Sequence, residues 1–196
     1  MTESATSVAP EIVRYRLDPA RSTFTAQAFA GGLLSGFGHN PIIGIKKFDG
    51  EVQFAAGTLA DASLRITVDA NSLAVVGEVS EKDTPEIERT MLAEVLETSR
   101  YPEITFESTS ITVTRIVEGR YKARIIGDLT MHGVTQKGLW ISAQVTLDGA
   151  ELKGQGDFAA KHTAYHLKQV TVAGGALKVK DEVKLSFAMV GVAQVV

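Results

Sequence analysis

The chain has 196 residues, a net charge of −3 and no cysteine. This length allows one domain with a sizeable core, and the lack of cysteine excludes disulfides and thiolate chemistry. The near-balanced charge argues against a nucleic-acid-binding surface, which is normally basic, and no apolar run reaches the ~18 residues that cross a bilayer. We therefore expect neither nucleic acid binding nor stable membrane insertion.

The first ten residues, MTESATSVAP, have neither the basic nor the apolar region of a secretory signal. We expect residues 1–12 to be a disordered lead-in and residues 13–196 to form a single domain. The same observation predicts a cytoplasmic protein.

Alternation of apolar and polar residues with period two dominates the rest of the chain, and it is typical of strands that bury one face. The pattern is clearest at residues 63–69, 121–131, 152–158 and 182–189, and it predicts further strands at 13–18, 22–30, 47–56, 104–108, 110–116 and 139–147. Many short strands separated by Gly or Asp turns indicate an all-β fold, either an antiparallel barrel or a sandwich.

One segment breaks this alternation and predicts a helix within residues 84–98. Pro85 suits the first helical position, and Ile87, Met91 and Val95 recur at four-residue spacing, which places them on one helix face. We expect this helix to pack across a mouth or flank of the sheet.

Motifs that carry chemistry are weak in this chain. The stretch GQGDFA at 154–159 matches a dinucleotide-binding pattern, but that motif needs a helix after the strand, and here the strand continues. The four histidines are His39, His132, His162 and His166. They are scattered, and no nucleophile elbow, P-loop or HExxH motif is present. We expect no catalysis, no required metal and no cofactor.

Five stretches carry a resemblance to a known family. They are YRLDPARSTF (15–24), FDGEVQF (48–54), RYPEITFES (100–108), GDLTMHGVT (127–135) and AGGALKVKDEV (173–183). In this order they resemble the YceI-like family of polyisoprenoid-binding proteins. Residues 31–40 depart from the family pattern.

The resemblance implies a lipocalin-like antiparallel barrel of eight strands with one short helix. Its expected role is the binding, storage or transport of a long-chain isoprenoid or isoprenoid quinone in an apolar lumen. The alternative is a metal-dependent or enzymatic stress protein that uses His39, His162 and His166. A homodimer also remains open.

The predicted lumen residues lie on the more apolar or aromatic face of each strand. They are Phe24, Phe54, Ile66, Val68, Phe106, Leu129, Met131, Phe158, Leu185 and Phe187. Phe37 and His39 are the predicted mouth residues.

The strand at 139–147 carries a conflict. Its alternation puts Leu139, Ile141 and the following odd-numbered apolar residues inward. The family register instead implies that Trp140 faces the lumen, so we include Trp140 among the predicted ligand contacts. If that register held, the aliphatic stripe would face outward and suggest a subunit interface.

Overall fold

The computed structural model describes residues 11–31, 40–77, 79–172 and 177–194. Its strands are β1 (Ile12–Leu17), β2 (Thr23–Gln27), β3 (Ala30–Gly31), β4 (Ile42–Ile45), β5 (Phe48–Ala55), β6 (Ser63–Asp69), β7 (Leu73–Gly77), β8 (Glu103–Val117), β9 (Arg120–Met131), β10 (Val134–Asp148), β11 (Glu151–Lys161), β12 (Thr171–Val172), β13 (Leu177–Val179) and β14 (Glu182–Ala193). Helix α1 (Thr84–Thr90) continues as a π-helical turn at Met91–Val95, and short 3₁₀ turns lie at Ala70–Ser72 and His162–Tyr165.

Eight strands form a closed antiparallel ring in the order β1, β5, β6, β8, β9, β10, β11 and β14. The ring closes because β14 pairs back with β1, where Tyr15 lies opposite Ala193 and Leu17 opposite Gly191. The all-β barrel with one short helix that the sequence predicts is therefore confirmed.

Three shorter strands extend the ring at one end. β2 pairs with β14 beyond β1, β4 pairs with β2, and β7 pairs with β4. On the other side of β7 no strand is paired within the described residues. Helix α1 lies there instead, and Glu88 Oε1 accepts a hydrogen bond of 2.8 Å from the Val75 N–H of β7. We call this the helix end of the barrel.

The opposite end, with the β8–β9 and β10–β11 turns, is the turn end, and side chains occupy most of its interior. The rings of Tyr15 and Phe54 stack with centroids 5.6 Å apart. Tyr15 Oη donates a 2.7 Å hydrogen bond to the carbonyl oxygen of Gly149. This bond ties β1 to the β10–β11 turn and satisfies a polar group beside the core.

The sequence prediction differs from the structure in several strands. It missed the short strands β4, β7, β12 and β13, and it joined β2 and β3, which belong to different sheets, into one strand at 22–30. It also divided the segment 104–116 into two strands, whereas β8 is continuous and carries a register shift between Ser108 and Ser110. The apparent break is therefore a bulge within one strand.

A second bulge, in β10, decides which face of that strand is inside. Gln136 lies opposite Leu129, but Leu139 lies opposite Gly127, so β10 holds one extra residue between these pairs. Gly138 occupies the bulge with a φ of +71°, where a residue with a side chain is disfavoured.

Because side chains alternate with period two, one extra residue moves the later residues of β10 to the other face. Even-numbered residues face inward before the bulge, and odd-numbered residues face inward after it. Trp140 consequently lies on the outer wall and is 56% exposed, whereas Ile141 is 5% exposed. The predicted lumen position of Trp140 is contradicted, and the aliphatic stripe of β10 faces the interior.

The two neighbours offer a direct stability test of this register. We expect Ile141→Ala to lower the free energy of unfolding by ~2–5 kcal/mol, because it leaves a cavity in the wall. Trp140→Ala should change it by less than about 0.5 kcal/mol, as for most surface substitutions. Urea unfolding followed by circular dichroism measures both. A larger loss for Trp140→Ala than for Ile141→Ala would contradict the register.

Candidate ligand-binding cavity

A cavity of about 770 Å³ occupies the helix end of the barrel. Inward side chains of the strands form most of its wall. They include Phe24, Ile43, Ile45, Leu64, Ile66, Val68, Ile104, Phe106, Ile125, Leu129, Ile141, Phe158, Leu185 and Phe187. Such a wall favours an uncharged, apolar occupant, because burying an unpaired charge there would cost several kcal/mol or more.

The helix supplies the cover of this cavity. Ile87, Met91 and Val95, which the sequence places on one helix face, all contribute to the cavity wall. Their four-residue spacing therefore turns the apolar side of the segment toward the lumen. In the described part of the chain, no helix is long and apolar enough to cross a bilayer.

Charged side chains at the cavity mouth pair with one another. Arg89 Nη2 lies 2.7 Å from Glu86 Oε1, and Arg89 Nη1 lies 3.0 Å from Glu94 Oε1. Lys168 Nζ lies 3.1 Å from Glu94 Oε2. Hydrogen bonds from Lys168 and Arg89 lower the pKa of the Glu94 carboxyl. The cluster joins the helix to the segment after β11 and leaves the deeper wall apolar.

Nine of the predicted lumen residues border this cavity. They are Phe24, Ile66, Val68, Phe106, Leu129, Met131, Phe158, Leu185 and Phe187. Phe54 instead borders a smaller cavity at the turn end, and Trp140 lies outside the barrel. Phe37 and His39 lie outside the described residues. Contact of any of these residues with a ligand stays a prediction.

Sequence reasoning overlooked several wall residues. Ile125 lies on the same alternating face of β9 as Leu129 and Met131, so extending that alternation would have found it. The alternation of residues 139–147 does place Ile141 inward, but the family register led to Trp140 as the predicted contact of this strand instead. Ile43 and Ile45 belong to β4, where Ile42, Ile43 and Ile45 surround a glycine without alternation. No local signal distinguishes which of these isoleucines faces inward.

Glycines of β11 make room for large side chains of the barrel itself. A Cβ atom at Gly156 would lie 2.5 Å from the carbonyl oxygen of Ser142 and 2.8 Å from Cζ of Phe187. The ring of Phe187 thus lies over Gly156. β11 pairs antiparallel with both β10 and β14, which rules out the parallel unit that a dinucleotide motif requires.

The histidines hold separate structural positions. His132 Nε2 lies 2.9 Å from Glu97 Oε2, and its Nδ1 lies 3.2 Å from the carbonyl oxygen of Tyr165. His166 caps the His162–Tyr165 turn with a φ of +55°. Within the described ranges, no group of three or more His, Cys, Asp or Glu side chains is placed to hold a metal ion.

His162 anchors the turn that borders the cavity mouth. Its Nδ1 lies 3.2 Å from the carbonyl oxygen of Lys180. The neighbouring Asp181 accepts 2.9 Å hydrogen bonds from the backbone N–H and hydroxyl of Thr163. Burial lowers the pKa of His162, opposed by the Lys180 carbonyl and the Asp181 charge. Burial at this site therefore favours the neutral imidazole over the protonated form.

Comparisons with known proteins point to one family. A family model described as the YceI-like domain matches residues 15–191. Protein YceI of Escherichia coli O6:H1 is 30% identical over 157 residues, which are 79% of this chain and 69% of that protein.

Two solved structures share the fold. BcnA of Burkholderia cenocepacia has a TM-score of 0.67 at 21% identity, over 89% of this chain and 98% of that one. A polyisoprenoid binding domain from Saccharophagus degradans, implicated in plant cell wall breakdown, has a TM-score of 0.63 at 15% identity, over 92% and 98% of the two chains.

The position of His162 predicts a pH dependence of stability. Its pKa is lower in the folded state, so the unfolded chain binds more protons below the usual value of about 6.5. The free energy of unfolding should therefore fall as the pH decreases below about 6.5. Urea unfolding at several pH values and an NMR titration of His162 measure these effects.

His162→Asn should remove part of this pH dependence, whereas the matched substitution His166→Asn should leave that part in place. A His162 resonance that titrates above 6.5, or equal pH profiles for wild type and His162→Asn, would contradict the assignment.

Proposed function

This chain belongs to the YceI-like family, and from that premise we propose that it binds, stores or transports a long-chain isoprenoid or isoprenoid quinone. The observation that carries the proposal is the apolar cavity of about 770 Å³ inside a closed barrel. An eight-stranded barrel has room for one small ligand when its side chains leave the lumen open. The fold shared with a polyisoprenoid binding domain adds support.

Apolar burial is the main source of affinity that this cavity offers. A prenyl chain that buries on the order of 500 Å² gains at most about 12 kcal/mol, at ~25 cal/mol per Å². Association and ordering of the chain remove a large part of that gain. We propose that the remainder holds the ligand without specific polar contacts, which agrees with a wall made mainly of aliphatic and aromatic side chains.

We propose a binding protein without intrinsic catalysis, resident metal or cofactor. The charged residues that border the cavity within the described chain include Glu86, Arg89, Glu94 and Lys168, which pair with one another at the mouth, and also Lys161 and Lys178. General acid–base chemistry needs a group placed within hydrogen-bonding reach of a reacting atom. The apolar depth of the cavity is poorly suited to that arrangement.

Cytoplasmic location and a homodimer stay predictions from the sequence. Light scattering of the purified protein tests the oligomeric state, and cell fractionation tests the location. Neither outcome alters the argument for an apolar ligand, because the cavity is formed within a single chain.

Two neighbouring alanines of β11 provide a matched test of the binding site. Ala160 borders the cavity, whereas Ala159 is exposed on the outer wall. We expect Ala160→Phe to weaken uptake of a fluorescent prenyl analogue by about tenfold or more, because the ring takes up ligand space. Overpacking would typically cost roughly 1–3 kcal/mol of stability.

Ala159→Phe should bind the analogue as wild type does, since its ring points into solvent. Thermal unfolding of both variants checks that they fold. Equal uptake by the two variants, or no uptake by wild type, would refute the cavity as the ligand site.

Salt should have little effect on binding of a neutral prenyl ligand. Between about 0.1 and 1 M salt the Debye length falls from about 10 Å to 3 Å, which weakens charged contacts but leaves apolar burial largely intact. We expect the dissociation constant to change by less than about threefold. A tenfold loss of affinity at high salt would indicate that charged mouth residues hold the ligand.

A further inference from the structure

A second cavity lies beyond the first, toward the turn end of the barrel. It has a volume of about 60 Å³, and its wall includes Val52, Phe54 and Leu152. The two cavities have three wall residues in common, and they are Leu64, Ile125 and Met189.

The shared residues come from three separate strands, β6, β9 and β14. They are 7%, 4% and 5% exposed, respectively. Together they form a floor that separates the large cavity from the small one. We use the term floor for these three side chains.

Met189 is the adaptable part of the floor. It pairs with Gly154 of β11 across the strands, and a Cβ atom at Gly154 would lie 2.6 Å from Cε of Met189. The methionine side chain therefore extends over the space that the glycine leaves open. Methionine is unbranched and flexible, so it suits an irregular gap of this kind.

A ligand with a polar head has one favourable direction in this cavity. Arg89, Glu94 and Lys168 border the cavity at the mouth, where the head remains beside charges and water. The apolar tail then points toward the floor. A tail longer than the cavity would have to leave carbons at the mouth or displace packed side chains.

We propose that the floor, and Met189 above all, sets the length of the apolar chain that the protein accepts. This inference rests on the proposed function and adds to it a limit on chain length. The small cavity is the space that a longer chain would occupy if the floor were opened.

The size of the effect follows from the volumes. Met189→Ala deletes three heavy atoms of about 30 Å³ each, taking the volume of a water molecule as the measure. The deletion also joins this space to the small cavity of about 60 Å³. Since about 10–15 Å³ of such cavity volume is enough for one water-sized group, the lengthened lumen should gain room on the order of one isoprene unit.

A series of prenyl alcohols of increasing length, competing against a fluorescent prenyl analogue, tests the proposal. For wild type, affinity should rise with length and level off when the chain reaches the floor. For Met189→Ala the affinity should continue to rise for one more isoprene unit before it levels off. The prenyl alcohol of that greater length should bind Met189→Ala about tenfold more tightly than it binds wild type. Shorter alcohols should bind both proteins equally.

Met131→Ala is the matched control. Met131 borders the large cavity but not the small one, so the same deletion adds space without opening the floor. The chain length at which the affinity levels off should therefore be the same as in wild type. Thermal unfolding identifies a variant that does not fold, and Leu64→Ala, which opens the floor from β6, then replaces Met189→Ala.

The outcomes separate the two proposals. No binding of any prenyl compound by folded wild type would refute the proposed function itself. In a second outcome, wild type binds prenyl compounds while neither Met189→Ala nor Leu64→Ala changes the chain length at which the affinity levels off. That result would refute the role of the floor but not the proposed function. An equal shift for Met131→Ala would also refute the role of the floor, because added volume anywhere would then explain the effect.

Discussion

The pairing of β1 with β14 is the interaction on which the rest of the structure depends. It joins the first and last strands of the ring, so the barrel has a defined inside and outside. Once the ring is closed, every second side chain of each strand points into a lumen whose width is set by the number of strands. The cavity, its floor and its mouth all follow from that geometry.

The interior of this ring is mostly filled by side chains at one end and open at the other. At the turn end, the stacked rings of Tyr15 and Phe54 occupy the lumen. At the helix end, a helix covers the opening beside β7 in place of another strand, and Glu88 bonds to the free edge of that strand. The packed half can stabilise the fold, which allows the other half to remain available for a ligand. The turn end of the barrel thus provides most of the packed core, and the helix end provides the cavity.

The sequence predicts the features that depend on local pattern. Alternation identified most of the ring strands, and four-residue spacing identified the helix with its inward face. The sequence predicts less where an irregularity intervenes. The family register predicts that Trp140 faces the lumen, but the bulge at Gly138 reverses the faces of β10 and places Trp140 on the outer wall. The floor could not be predicted, since Leu64, Ile125 and Met189 meet only through the three-dimensional pairing of distant strands.

The histidines show a related limit of sequence reasoning. His162 and His166 have a spacing that would suit metal binding, but in the structure His162 contacts a backbone carbonyl. His166 adopts the left-handed conformation that ends the 3₁₀ turn. Residue type and spacing alone do not distinguish a ligand set from residues that stabilise a turn, because the difference lies in the backbone around them.

The central claim is that the cavity at the helix end holds one long apolar molecule. Native mass spectrometry of the purified protein, followed by organic extraction and identification of the extract, tests it most directly. We predict a bound species in a one-to-one complex that extracts as an isoprenoid or isoprenoid quinone. Protein that carries no such molecule, and that takes up none when a prenyl compound is supplied, would contradict the account.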